Sequence, residues 1–147
     1  MSGRPIPNAG LQIFIGSSPG ASTATILIDG VDDIGEFGIE QSVKDVTSLS
    51  DRWKRKLKGV RDGGKMTISG QFRSGDQGQA MLRTAVRASG SYPFQIVFPD
   101  TQGTNPTSYT LYAQVLTYKP NPGKVDGIIM FKADLEVDGA VTGTMAA

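Results

Sequence analysis

The chain has 147 residues, with 15 Lys plus Arg against 14 Asp plus Glu and neither His nor Cys. The missing Cys excludes disulfides, thiolate nucleophiles and Cys-based metal sites, and the missing His removes the commonest general base and transition-metal ligand. A formal charge of +1 argues against a surface built wholly to hold a phosphate backbone, and the length fits one domain with a core that needs no covalent staples.

The opening MSGRPIPNAG lacks a basic segment leading into an apolar run, so no signal peptide is expected. Apolar stretches such as Ile128–Phe131 fall far short of the ~18 residues needed to cross a bilayer. The sequence therefore reads as soluble, with no membrane partner. Gly, at 19 residues, is nearly twice its usual ~7% and predicts many turns and short strands.

Residues 1–23 read as an N-terminal arm, a short strand at Leu11–Ile15 and a flexible Gly/Ser/Pro loop at Gly16–Ser22. A strand follows at Ala24–Asp29, then an Asp-rich turn at Gly30–Gly35, then a second strand in which Phe37, Ile39 and Val43 mark a buried face. Residues 66–73 alternate cleanly, with Met66, Ile68, Gly70 and Phe72 on one side, as expected of a half-buried antiparallel strand. The period then becomes helical. Met81, Leu82, Ala85 and Val86 share one face, Ser74 with Gln77 or Asp76 with Gln79 offers a capping box, and Gly90 marks the stop, which predicts a helix over 75–89. Three strands close the chain, carried by Tyr92, Phe94, Ile96 and Phe98, by Tyr109, Leu111, Ala113 and Val115, and by Ile129, Phe131, Ala133, Leu135 and Val137. The predicted class is mainly β, an antiparallel β-sandwich or barrel-like core with one flanking α-helix, in a single domain spanning 1–147.

The stretch 44–65 is too long for a hairpin turn and forms an inter-strand arm. Six basic residues fall in Arg52–Arg61, around the sole Trp. Lys54, Lys56 and Lys58 fit one side of a strand, while Trp53, Leu57 and Val60 also fit helical spacing, and periodicity does not decide. Three roles stand open: a solvated loop with Trp53 tucked beneath it, a nucleic-acid patch over 52–61, or an arm that docks on a neighbouring subunit. The acids Asp29, Asp32, Asp33, Glu36 and Glu40 do not match an EF-hand loop and read as turn residues. The Gly64-Lys65 and Gly123-Lys124 pairs lack the rest of a phosphate loop. Arg83 and Arg87 read as the wet side of the helix. No catalytic residue, cofactor or metal site is predicted, and no acid pair has a spacing that identifies a carboxylate hydrolase.

Taken in order, Asp45-Val-Thr-Ser-Leu-Ser-Asp51-Arg-Trp-Lys, Lys58-Gly-Val-Arg-Asp62-Gly-Gly and Thr67-Ile-Ser-Gly-Gln-Phe72 resemble the major tail tube proteins of long-tailed bacteriophages. The likeness continues through Asp76–Leu82, Phe94–Asp100, Tyr118 and Asp126–Gly139, and covers 24–140. It implies a structural virion protein, not an enzyme. Copies of the subunit would form stacked hexameric rings, and the rings a hollow tail tube around a tape-measure protein, with a tail-tip initiator and a tail terminator at its ends. Double-stranded DNA would meet the subunit only in transit, and assembly would take place in the host cytoplasm.

In such a ring a sheet edge could pair with its neighbour. The residues Arg52, Trp53, Lys54, Lys56, Leu57, Lys58 and Val60 are the candidate inter-subunit or inter-ring contacts, and Asp134, Glu136 and Asp138, on alternating positions of the last strand, are the candidate lumen-facing acids. Some relatives carry a C-terminal immunoglobulin-like domain, which a chain stopping soon after Val141 is expected to lack. The alternatives are a tail-terminator or secretion-tube-like ring protein of the same fold, or a nucleic-acid-binding module using the basic loop 52–61.

Overall fold

The computed structural model describes residues 10–99 and 106–145, without the side chains of Ser42, Gly59, Val60 and Arg61. The Pro-rich start of the N-terminal arm and the Asp100 end of the segment Phe94–Asp100 lie outside the described residues. The elements are β1 (Gln12–Ile15), β2 (Ile26–Leu27), β3 (Val31–Ile34), β4 (Glu40–Asp45), β5 (Lys56–Asp62), β6 (Lys65–Gln71), α1 (Gln77–Arg87), β7 (Tyr92–Val97), β8 (Ser108–Asn121), β9 (Met130–Val137) and β10 (Thr142–Thr144). The main sheet runs β2-β1-β7-β8-β9-β6-β3, with β10 also on β8, and every pairing is antiparallel. β4 and β5 form a separate two-stranded sheet.

The two edge strands of the main sheet, β2 and β3, are separated in sequence by residues 28–30 alone. Their facing ends therefore lie within ~14 Å of each other, and the sheet curls until its edges nearly meet. One cluster fills the interior, drawing Ile13 and Ile15 from β1, Phe94 and Ile96 from β7, Leu111 and Val115 from β8, Phe131 and Leu135 from β9, and Met66 and Ile68 from β6. Register explains this convergence. Ile13 faces Ile96, Phe94 faces Leu111, Val115 faces Leu135, and Ile68 faces Ala133 across successive ladders, so one pleat face of every strand points inward. Helix α1 covers the open side with Leu82 and Ala85 buried.

The seam is held by polar groups. Gln79, fully buried, donates from Nε2 to the carbonyls of Asp29 (2.8 Å) and Gln71 (2.9 Å), and its Oε1 accepts from Arg73 N–H (3.0 Å) and the Tyr118 hydroxyl (2.9 Å). All four of its hydrogen-bonding positions are satisfied. Asp76 caps α1 by accepting from Gln79 N–H and also accepts from Asp29 N–H, while Arg73 pairs with Asp29 at 2.6 Å. Of the two capping options read from sequence, Asp76 provides the cap. Gln79 does not return to the Asp76 N–H as a capping box requires, because the seam takes its side chain.

Several boundaries differ from the sequence reading. The Asp-rich stretch 30–35 is not only a turn. Gly30, at φ +82°, makes the reversal and Val31–Ile34 forms an edge strand. A bulge between Val31 and Asp33 leaves Asp32 and Asp33 both exposed. The buried face expected of Phe37, Ile39 and Val43 does not form. Phe37 is half-buried against Phe98 and Tyr109, whereas Ile39 and Val43 are exposed where the chain leaves the body. The segment Gly16–Ser22, read as flexible, is tied by Gly16 N–H to the Pro93 carbonyl, Gly20 N–H to Ser91 and the Tyr112 hydroxyl to Ala21. Arg83 is not simply wet: its guanidinium lies over the Phe72 and Tyr118 rings, at 5.9 and 5.7 Å from their centroids.

Candidate functional site

The arm is a β-hairpin, and this settles the ambiguity between strand and helix in favour of a strand from Lys56 onward, whereas Trp53 and Lys54 lie on its tip and not in the strand. β4 and β5 pair through Val43 with Lys58, Lys44 with Leu57 and Asp45 with Lys56. Lys56 and Lys58 therefore share a face with Val43 and Asp45, and Leu57 lies on the other face. Val60 lies in β5, with its side chain outside the described residues.

Residues 46–55 form the tip, and side chains hold its shape. Thr47 N–H donates to Asp45 (2.9 Å), and Arg55 N–H donates to the Thr47 hydroxyl (2.8 Å). Ser48 bonds Asp51 through both its N–H and its hydroxyl. The Thr47 hydrogen bonds hold the Asp45 carboxyl below its ordinary pKa. This network presents two large apolar groups to solvent, Trp53 at 84% exposure and Leu49 fully exposed, with Leu57 and Val43 exposed behind them. Trp53 is thus not tucked under the loop. Arg52, Lys54, Lys56 and Lys58 are exposed and make no ion pair among the described residues.

Asp134, Glu136 and Asp138 lie along the sheet face that points away from the core, since their neighbours Ala133, Leu135 and Val137 are buried. Asp134 accepts from the hydroxyls of Thr67 (2.9 Å) and Thr117 (3.3 Å), and Asp138 accepts from Ser91 (2.6 Å). The face is not purely acidic, because register sets Lys65 opposite Glu136 and Lys119 opposite Lys132. Its charge is banded along the strands, basic toward Lys119 and Lys132 and acidic toward Glu136 and Asp138.

Sequence reasoning missed a second protrusion. The loop 122–129 joining β8 to β9 exposes Val125, Ile128 and Ile129. Ile129 reads as the start of a buried strand from alternation, whereas β9 begins one residue later. Leu49 was also missed; its signal was a lone large apolar residue inside the polar run Thr47–Asp51. The acids Asp29, Asp32, Asp33, Glu36 and Glu40 are spread over a turn, β3, the link that follows it and β4, and no group of His, Cys, Asp or Glu among the described residues is placed to hold a metal ion.

A family model described as "Phage tail tube protein" matches residues 16–143. The chain belongs to the phage tail tube protein family. It is thus a structural component of the phage tail, and its fold is shared with solved tube assemblies. The tube-terminating cap of the anti-feeding prophage is 15% identical, with a TM-score of 0.75 over 99% of this chain and 95% of that one. The SPP1 tail tube is 15% identical, with a TM-score of 0.71 over 96% of this chain and 81% of that one. The tail of a gene transfer agent particle, refined with C6 symmetry, is 20% identical, with a TM-score of 0.68 over 90% and 95%. No curated protein sequence matches this tail tube protein. No helix among its described residues is long and apolar enough to cross a membrane.

Proposed function

We propose that this subunit acts without catalysis, assembling with copies of itself into stacked rings that form the hollow tail tube through which double-stranded DNA leaves the particle. Six subunits per ring follows the C6 symmetry of the gene transfer agent tail. The tape-measure protein, a tail-tip initiator and a terminator complete the assembly, which takes place in the host cytoplasm. The observation that carries this reading is the family match over 16–143, and the hairpin arm with exposed Leu49, Trp53 and Leu57 supports it. Large apolar groups held outward on a hydrogen-bonded tip, ringed by charge, have the composition of an interface anchor.

The face carrying Asp134, Glu136 and Asp138 is the candidate bore lining. Its mixture of these acids with Lys65, Lys119 and Lys132 denies a sliding duplex one continuous electrostatic trap. Negative-stain electron microscopy over a concentration series tests the assembly. Rings and hollow tubes of uniform width are expected, and dispersed monomers at every concentration would count against the reading. A tail terminator is the second reading, supported by the likeness to a tube-terminating cap; single rings that never lengthen would favour it over a tube subunit.

A further inference from the structure

Asp is followed by Gly at Asp29-Gly30, Asp62-Gly63, Asp126-Gly127 and Asp138-Gly139. In such a pair the glycine nitrogen, with no side chain beside it to shield it, can attack the Asp side-chain carboxyl carbon. The N–Cγ bond forms, the Cγ–OH bond breaks, and the hydroxyl leaves as water with the amide proton, giving a five-membered cyclic imide. Water then adds back at either imide carbonyl. Opening at the main-chain carbonyl leaves isoaspartate, whose backbone runs through Cβ and is one methylene longer, so the net change is an isomerisation that needs nothing but water. The attack requires a carboxyl free to turn over the next nitrogen, and a nitrogen free to leave its own hydrogen bond.

The fold meets these requirements unequally. Asp29 is the most constrained: its carboxylate pairs with Arg73 and accepts the Gly30 N–H, its own N–H bonds Asp76, and its carbonyl accepts from Gln79. Asp62 lies in β5 opposite Glu40, its carboxylate accepts the Gly64 N–H, and the Gly63 backbone packs so closely on Val137 that a Cβ there would collide with it. Asp138 is tied by its N–H to the Tyr112 carbonyl and by its carboxylate to the Ser91 hydroxyl at 2.6 Å, a charge-assisted bond that holds the side chain in place. Asp126 differs from all three. It is exposed in the loop 122–129, outside any ladder, and its carboxylate has no hydrogen bond or ion pair among the described residues. The bond in the way is that from the Gly127 N–H to the Lys124 carbonyl at 3.0 Å, a neutral turn bond in solvent, of the kind that opens by local fluctuation.

We infer that Asp126 is a site of spontaneous modification, converted to isoaspartate through an Asp126–Gly127 imide while the fold protects the other three pairs. The site sits in the second protrusion, between Val125 and Ile128. An added methylene there shifts the exposed apolar groups Val125, Ile128 and Ile129 relative to one another, so an aged subunit presents an altered loop on an unaltered body.

Trypsin separates the four pairs, since cleavage after Lys124 and Lys132 releases residues 125–132 with Asp126 as their sole acid, and the other pairs fall in other peptides. The purified protein, too dilute to assemble, is held warm at mildly acidic pH in water enriched in oxygen-18, then digested in ordinary water. The expected product is a second form of peptide 125–132, carrying one heavy oxygen atom and accepting a methyl group from an isoaspartate-specific methyltransferase. It should form several-fold faster than the isomers of the other three peptides. In denaturant all four pairs should convert at similar rates, because the fold alone separates them. Gly127→Ala, in an exposed turn, places a methyl group beside the attacking nitrogen and should slow the conversion several-fold. Faster conversion of Asp138 than of Asp126 in the folded protein would overturn the assignment. So would a 125–132 peptide that stays unmodified while the denatured sample converts, and an identical ranking in denaturant would show that the fold does not select the site.

Discussion

Replacing Gln79 probes the seam on which closure of the sheet depends. Its side chain is 0% exposed and makes four hydrogen bonds, two donated to carbonyls and two accepted from an N–H and a hydroxyl. Gln79→Met keeps most of the volume and removes all four bonds. At about 1 kcal/mol net per bond, the loss is about 4 kcal/mol, with more where a partner stays buried and unsatisfied. That is a large share of a typical ~5–15 kcal/mol of stability, and for a chain of this size it lowers Tm by roughly 8–16 °C. Thermal and urea unfolding followed by far-UV circular dichroism, at concentrations too low for assembly, is the assay. Trp53 fluorescence would not serve, because that side chain sits in solvent on the arm. A Gln79→Met variant within ~1 kcal/mol of the parent would refute the clamp, since a satisfied buried amide cannot be lost so cheaply. Gln79→Glu should be at least as damaging at neutral pH, because its carboxylate would face the Asp29 and Gln71 carbonyls.

Gly78→Ala should destabilise by ~1–3 kcal/mol by chemical denaturation despite the ~1 kcal/mol gain in helix propensity, because its Cβ would run into the Leu27 carbonyl and the Ile28 backbone. Burial pushes the Tyr118 hydroxyl above its ordinary pKa, against the opposing influence of Arg83. A raised folded-state value stabilises below the unfolded pKa of ~10 and is lost as pH climbs through the folded one. The parent should therefore lose Tm above pH ~10 more steeply than Tyr118→Phe, and equal slopes would remove Tyr118 as the cause. Trp53→Ala should leave Tm unchanged within the ±0.5 kcal/mol typical of surface sites while abolishing rings or tubes in negative stain; intact tubes would show that the anchor lies elsewhere.

Strands of strict alternation were legible. Met66, Ile68, Phe94, Ile96, Leu111, Phe131, Ala133 and Leu135 all lie in the core as their spacing predicted. Alternation failed where the backbone slips register. In β8 a bulge between Val115 and Thr117 moves the inward phase from Tyr109, Leu111, Ala113 and Val115 to Tyr118, so the last six residues of a 14-residue strand were invisible to a fixed period of two. β10 has no buried residue to reveal it. The arm's apolar residues were found as a composition, but their exposure was not readable, because Val43 and Leu57 would look the same in a buried hairpin. Gln79 was seen only as a capping partner. That it reaches three other parts of the chain follows from a closure that no local pattern records.

The root of the arm carries a mechanical consequence. Body and hairpin belong to separate sheets, and the chain passes between them through residues 35–39 on one side and Gly63–Gly64 on the other, with Gly64 at φ +70°. The body is stiffened by a continuous ladder and a clamped seam, whereas this junction is held to it at a few points, by the Gly35 N–H on the Thr67 carbonyl, the Val137 N–H on the Gly64 carbonyl and Phe37 against Phe98 and Tyr109. A stack of such subunits would behave as rigid washers on compliant links, with deflection gathered at the glycines. Under side load its axis could curve while the bore of every ring kept its cross-section.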